Sequence, residues 1–189
     1  MNSNPATPPK QETATSFDRL SAPLMDLDAR VPQFNLKKIL VPVDFSDCSK
    51  KALEYAVPLA RRYGASITFL YVVPFNSTLG RAPVLADESG DGDFTESAVR
   101  MLTRLAHENV PPKIPVRLET RCGAESAEIV RAASKLEADL IVISTHGRTG
   151  RAHSLTGSVA ADVVRLAPCP VLVVRERERE FVQSQTTTN

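Results

Sequence analysis

Short apolar runs alternate with amphipathic stretches through the middle of the chain. Apolar runs bounded by turn residues are typical of buried strands, and they predict strands at 38–44, 66–73, 140–144 and 170–174. A weak alternation of apolar and polar residues predicts a further strand at 114–120. Apolar residues that recur every three or four positions form one face of a helix, and they predict helices at 46–64, 94–109, 124–137 and 157–166. Strands and helices therefore follow one another in regular alternation.

The first predicted helix has clear ends and one irregular position. Ser46 can cap its amino end through the side-chain oxygen, and Gly64 suits the turn that ends it. Pro58 lies inside the helix and removes one backbone N–H, so we expect a kink there and not an end. The inward positions predicted for the first two helices are Leu53, Ala56, Val57 and Ala60, then Val99, Leu102 and Leu105.

This alternation predicts an α/β fold. Strands separated by helices form a parallel sheet with helices on both faces, here a single-domain, open, five-stranded sheet that we assign to residues 37–176. Residues 1–36, rich in Asn, Ser, Thr, Pro and Gln, are predicted to be a flexible N-terminal extension, and residues 177–189 a flexible C-terminal tail. In such sheets ligands bind outside the carboxyl ends of the strands. The residues that follow each strand are therefore the candidate site.

Composition and charge exclude several classes of protein. With 42% hydrophobic and 24% charged residues, the chain has the composition of a soluble globular protein. A formal net charge of +1 gives no overall field that attracts nucleic acid or a membrane surface, so neither is an expected partner. The first residues lack the apolar core of a signal peptide. Because the cysteines, Cys48, Cys122 and Cys169, are few and widely separated, we expect a cytoplasmic protein with reduced thiols.

The segment after the fourth strand carries a candidate anion site. It runs from Ser144 through Gly147 and Gly150 to Gly157 and Ser158, where a helix begins. Glycine lets the backbone approach a phosphate closely because it has no Cβ, and the free N–H groups at a helix start favour an anion. The spacing is neither a Walker A motif nor the GxGxxG pattern of dinucleotide sites. The same glycines could equally serve only to turn the loop.

Asp44 follows the first strand and is the second candidate. Its carboxylate could accept hydrogen bonds from a ribose or from the amino group of a base. Aspartate at such a position also commonly caps the turn that follows it. Both roles stay open at the level of the sequence.

Three segments of the chain together resemble universal stress protein domains. They are ILVPVDFS at 39–46, THGRTG at 145–150 with GS at 157–158, and APCPVLVVR at 167–175. The resemblance covers residues 36–176. It implies an adenine nucleotide alpha hydrolase-like fold with the strand order 3-2-1-4-5, and a homodimer paired through the last strand. That strand is apolar and would lie at a sheet edge, where exposed strands tend to pair.

The ATP-binding branch of that family has the pattern Gly-x2-Gly-x9-Gly-[Ser/Thr], and this chain matches its second part. Ser144 stands where the pattern has its first glycine, although its hydroxyl could donate a hydrogen bond to a ribose or a phosphate. The resemblance assigns the phosphate contacts to Gly147, Gly157, Ser158 and Val159. It assigns the base and ribose contacts to Pro42, Asp44 and Val72. The implied ligand is ATP, which Mg²⁺ could accompany.

The residues and the resemblance together predict a binding protein and not an enzyme. We expect an ATP-binding stress-response and signalling module that acts as a homodimer and contacts a protein partner of unknown identity. No nucleophile paired with a base is visible, and His146 and His153 lack further ligands at metal-site spacing. Two alternatives are a dimeric adaptor that binds no nucleotide and has a purely structural glycine loop, and a slow ATP hydrolase.

Overall fold

The computed structural model describes residues 34–74, 94–145 and 157–175. The chain divides into two units, Met1–Phe34 and Asn35–Asn189, and every element described below belongs to the second. The predicted extension at 1–36 and the predicted tail at 177–189 fall almost entirely outside the described residues, so both stay predictions.

Five strands and four helices alternate along the described part of the second unit. The strands are β1 Lys38–Pro42, β2 Ser66–Pro74, β3 Val116–Gly123, β4 Leu140–Ser144 and β5 Val171–Val174. The helices are α1 Asp47–Tyr63, α2 Phe94–Asn109, α3 Glu125–Leu136 and α4 Ser158–Leu166. The strands form one parallel sheet in the order β3-β2-β1-β4-β5. The predicted α/β fold and strand order are confirmed.

The sheet is buried between two layers of helices. α1 and α2 cover one face, where Phe69 of β2 belongs to the same buried cluster as Leu102 of α2. α3 and α4 cover the other face, where the next residue of β2, Leu70, belongs to a cluster with Ile129 and Val163. Because successive strand residues point to opposite faces, a strand with helices on both sides is apolar at every position. This explains the continuous apolar runs in the sequence.

The ends of α1 agree with the sequence. The hydroxyl oxygen of Ser46 accepts a hydrogen bond from the N–H of Ser49 at 3.2 Å, and Gly64 ends the helix with a left-handed φ of 65°. The helix continues across Pro58, which is exposed. Water can therefore reach the carbonyl that Pro58 leaves without its helical partner. None of the described helices is long and apolar enough to cross a membrane.

The third strand begins and ends later than predicted. The weak alternation indicated 114–120, but β3 starts at Val116 and ends at Gly123. Ile114 lies in a turn, where its N–H donates to the carbonyl of Pro111 at 3.0 Å and its side chain is buried. The strand extends to Gly123 because β2 pairs with it along its whole length. Pairing with a neighbour, which a single run of residues does not reveal, decides both ends.

The inward face of α2 also differs from the prediction. Val99 is 41% exposed, whereas Ala98, Leu102 and Leu105 are buried. Those three positions follow the spacing i, i+4, i+7, which keeps them on one face of a helix. The predicted inward position of Val99 is wrong, because the small side chain of Ala98 is the one that faces the sheet.

Candidate functional site

A cavity of about 500 Å³ opens at the carboxyl ends of β1, β2 and β4, beside the amino ends of α3 and α4. Small-molecule sites commonly have volumes of about 300–1,000 Å³. The cavity lies where the strand order reverses, since the chain passes from β1 to β2 on one side and β4 lies on the other. Ligands in open α/β sheets bind at this kind of position.

Seven of the eight site residues predicted from the sequence line this cavity. From the first two strands and the turn after β1 come Pro42, Asp44 and Val72. From β4 and the start of α4 come Ser144, Gly157, Ser158 and Val159. The eighth, Gly147, lies outside the described residues, as do His146 and His153. Residues that are far apart in the sequence are therefore brought to one place.

Gly157 is the point where the start of α4 touches the end of β4. Its N–H donates to the carbonyl oxygen of Thr145 at 2.7 Å, and the N–H of Thr145 donates to Val174 of β5 at 2.9 Å. A Cβ on Gly157 would come closer to that carbonyl oxygen than 3.0 Å, a separation that real Cβ contacts essentially never show. The backbone angles, φ −59° and ψ 150°, suit any residue. At this position glycine is required for the close approach of two backbones and not for a turn.

The first turn of α4 presents backbone donors to the cavity. The first helical hydrogen bond runs from the N–H of Ala161 to the carbonyl of Gly157 at 3.0 Å. The N–H groups of Ser158, Val159 and Ala160 consequently have no partner within the helix, and all three residues line the cavity. The first turn of α4 holds no acidic residue that would offset its positive end. This arrangement suits an anionic group.

The serine that replaces the first motif glycine causes no backbone strain. Within the described residues, the non-glycine positions with a positive φ are Phe45 and Glu137, and Ser144 is not one of them. Ser144 ends β4, pairs in register with Val174 and is half-buried at the cavity. Its departure from the family pattern is therefore compatible with the same local backbone.

Asp44 caps a turn and lines the cavity at the same time. One carboxylate oxygen accepts hydrogen bonds from the N–H of Ser46 at 3.1 Å and from its hydroxyl at 2.6 Å. These bonds fix the orientation of a side chain that is half-buried at the cavity wall. The capping role considered from the sequence is present, and it does not remove Asp44 from the site.

The turn after β1 has an unusual backbone. β1 ends at Pro42, before the predicted end at residue 44, and Phe45 adopts a φ of 64°. That conformation is uncommon for a bulky residue and costs free energy. The ring of Phe45 lies 4.9 Å from the ring of Tyr71, measured between centroids, so aromatic packing offsets part of the cost. The strained residue directly follows Asp44, which lines the cavity.

Sequence reasoning missed the contribution of α3. Glu125, its first residue, and Ile129, one turn later, both line the cavity. Positions i and i+4 of a helix share a face, so one helix orientation places both side chains there. Glu125 follows β3 closely, just as Asp44 follows β1. The search after each strand would have found it had the end of β3 been placed at Gly123.

The described residues contain no group of three His, Cys, Asp or Glu side chains that could hold a metal ion. Of the three cysteines, Cys48 and Cys169 are half-buried and Cys122 is exposed. Burial, together with the nearby carboxylate of Asp139, raises the pKa of the Cys169 thiol. A raised pKa keeps that thiol in its less reactive protonated form.

Sequence comparison relates the chain to a known family. The model of the universal stress protein family matches residues 35–175. A universal stress protein of Methanocaldococcus jannaschii is 34% identical over 152 residues, which cover 76% of this chain and 85% of that protein. The matched part includes every strand and helix described above.

Solved structures share the fold. The universal stress protein UspA from Lactobacillus plantarum superposes with a TM-score of 0.59 at 29% identity, over 76% of this chain and all (100%) of that chain. A universal stress protein crystallised in complex with cAMP superposes with a TM-score of 0.54 at 26% identity, over 75% of this chain and 98% of that chain. That second protein therefore accommodates an adenine nucleotide.

Proposed function

This chain belongs to the universal stress protein family, and on that premise we propose that its cavity binds an adenine nucleotide, ATP in particular. The observation that carries the proposal is the first turn of α4, where the N–H groups of Ser158, Val159 and Ala160 adjoin the cavity. Gly157 holds this turn against β4. Such N–H groups bind phosphate oxygens through hydrogen bonds and through the helix dipole.

The part of the cavity beside β2 and α3 suits a purine base. Leu70, Val72 and Ile129 line the cavity there and belong to one buried apolar cluster. Apolar walls with a few placed polar groups are the usual lining of a small-molecule site. Asp44 could accept a hydrogen bond from a ribose hydroxyl. Mg²⁺ that accompanies ATP would be held mainly by phosphate oxygens, as is common for this ion.

We further propose a stress-response and signalling role in the cytoplasm, in which the nucleotide state changes contacts with a protein partner. We propose binding without catalysis, because backbone N–H groups can hold a phosphate without supplying a base or a nucleophile. Three widely separated cysteines suit a reducing compartment. A nucleotide-free adaptor and a slow ATP hydrolase are the competing outcomes of the following experiment.

We expect the purified protein to bind ATP, and Ser158→Ala to weaken that binding by about 3- to 10-fold, because one hydroxyl donor to a phosphate is lost. Mass spectrometry of the small molecules released on denaturation, followed by calorimetry with ATP, measures both. Ser134→Ala is the matched control, since Ser134 is exposed on α3 and does not line the cavity. No ATP binding at millimolar concentration would favour the adaptor. Phosphate release above that of Ser158→Ala would favour the hydrolase.

We also propose that two copies pair through β5. This strand lies at one edge of the sheet. In α4, the helix that precedes it in the chain, Val164 and Leu166 are 52% and 53% exposed. Exposed apolar edges tend to pair. Light scattering of the wild type at tens of micromolar is expected to give the mass of a dimer. The Leu166→Glu variant is expected to give a lower mass. Val99→Glu, an exposed apolar position on the other side of the sheet, should stay dimeric. A monomeric wild type would contradict the proposal.

A further inference from the structure

We propose that Glu125 selects the base of the bound nucleotide by accepting a hydrogen bond from the exocyclic amino group of adenine. The inference rests on the proposed nucleotide site and names a specificity residue within it. Glu125 lines the cavity, and it is not among the residues that the family resemblance assigned to ligand contacts.

The two helix starts beside the cavity differ in charge. The amino ends of both α3 and α4 adjoin it, but the first turn of α4 holds no acidic residue. The first turn of α3 holds Glu125 and Glu128. Carboxylates at a helix start offset the positive end of the dipole and repel a phosphate. The phosphates therefore belong at α4, and the uncharged base belongs at α3.

Glu125 lies beside the apolar part of the cavity. Ile129, on the same face of α3, belongs to one buried cluster with Leu70 and Val72 of β2, and all of these residues line the cavity. Glu125 itself is half-buried. A carboxylate at the border of an apolar space is the kind of placed polar group that orients a ligand and makes a site specific.

The turn that carries Glu125 is held in place by ion pairs. Arg121 donates to one oxygen of Glu119 from Nε at 2.9 Å and from Nη2 at 2.7 Å, and its Nη1 lies 3.6 Å from the carboxylate of Glu128. Gly123 adopts a φ of 153°, and a Cβ there would lie 3.0 Å from Cγ of Glu128. The end of β3 and the first turn of α3 are thus tied together. Glu125 is therefore positioned before a ligand arrives.

The chemistry of a carboxylate explains the preference. An ionised carboxylate accepts hydrogen bonds and donates none, so it pairs with the amino group of adenine. A purine that carries hydrogen in place of this group cannot donate this hydrogen bond. Because hydrogen bonds to charged groups are stronger than neutral ones, we expect the wild type to bind ATP at least about ten-fold more tightly than purine riboside 5′-triphosphate.

Calorimetry with these two nucleotides on the full chain tests the inference. Glu125→Met keeps the length of the side chain and removes its acceptor, so the preference for ATP is expected to fall to about three-fold or less. Affinity for purine riboside triphosphate should stay close to that of the wild type. Glu125→Ala should behave like Glu125→Met, and Glu54→Met, an exposed position on α1 outside the cavity, should keep the full preference.

The outcomes separate this inference from the proposed function. A Glu125→Met variant that keeps the wild-type preference, or that loses affinity for both nucleotides equally, overturns the role of Glu125 while the nucleotide site stands. Equal binding of both nucleotides by the wild type would also overturn the role of Glu125 and leave the nucleotide site standing. A wild type that binds neither nucleotide at millimolar concentration overturns the nucleotide site itself, and this inference with it.

Discussion

Gly157→Ala is expected to weaken ATP binding on the order of 100-fold. The added Cβ would overlap the carbonyl oxygen of Thr145, and both partners are backbone, so neither can swing aside. The start of α4 must then move away from β4, which displaces the N–H groups of Ser158 and Val159 from the cavity. Loss of two hydrogen bonds to a charged phosphate, at about 1.5 kcal/mol each, corresponds to a change of this size.

The same substitution is expected to lower the free energy of unfolding by about 1–3 kcal/mol, the usual effect of forcing an extra methyl group into a tightly packed place. The hydrogen bond from Gly157 to Thr145, 2.7 Å long, is strained or lost as the backbones separate. Calorimetry with ATP measures the change in affinity, and urea unfolding without ligand measures the change in stability.

Gly64→Ala is the matched control. Gly64 has a φ of 65°, and a Cβ there would meet nothing within 4 Å. Its substitution should cost about 1 kcal/mol of stability through the backbone alone and leave ATP binding unchanged. Equal ATP affinity in the two alanine variants would show that the contact between α4 and β4 does not position the phosphate site.

Arg121→Ala is expected to lower the free energy of unfolding by about 2–3 kcal/mol. The side chain of Arg121 is 14% exposed, and those of its partners Glu119 and Glu128 are 17% and 13% exposed. Removal of Arg121 leaves the Glu119 carboxylate without this cation and with little access to water, while Glu128 keeps its ion pair with Arg131. Removal of one partner from a buried ion pair commonly lowers the free energy of unfolding by about 3–5 kcal/mol. The remaining exposure of Arg121 and its partners reduces that value.

Urea unfolding of two further variants checks this explanation. Arg117→Ala removes an exposed arginine from the same strand and should change the free energy of unfolding by less than about 0.5 kcal/mol. Adding Glu119→Gln to Arg121→Ala removes the carboxylate charge that was left without its cation, and should recover part of the loss. If Arg121→Ala matched the stability of Arg117→Ala, the ion pairs between β3 and α3 would not hold these elements together.

The sequence predicted the fold because the three central strands, β1, β2 and β4, are covered by helices on both faces. A strand buried on both faces must be apolar throughout, and the helices that cover it must each carry an apolar stripe. The two signals alternate in the order of the elements, and the observed helices and strands follow that order. The wrong predictions concern the ends of strands and the inward face of a helix, as at β3 and at Val99. There strand pairing and close packing override the local pattern of apolar and polar residues.

The sequence also predicted seven of the sixteen described residues that line the cavity, for two separate reasons. The rule that ligands bind after the strands indicated Asp44 and the segment that begins at Ser144. The family resemblance added Pro42, Val72 and Val159. Neither the rule nor the resemblance indicated Glu125, because the end of β3 was placed too early and because the resemblance assigned no contact to this residue.

The amino-acid sequence by itself determined the kind and order of the elements and the family to which the chain belongs. Only the tertiary structure decided why residue 157 must be glycine and which helix start faces the cavity without a carboxylate. The physical reason is that helix and strand formation depend on residues close together in the chain. The gap between two backbones and the charge around a cavity depend on residues that meet only after the helices have packed on the sheet.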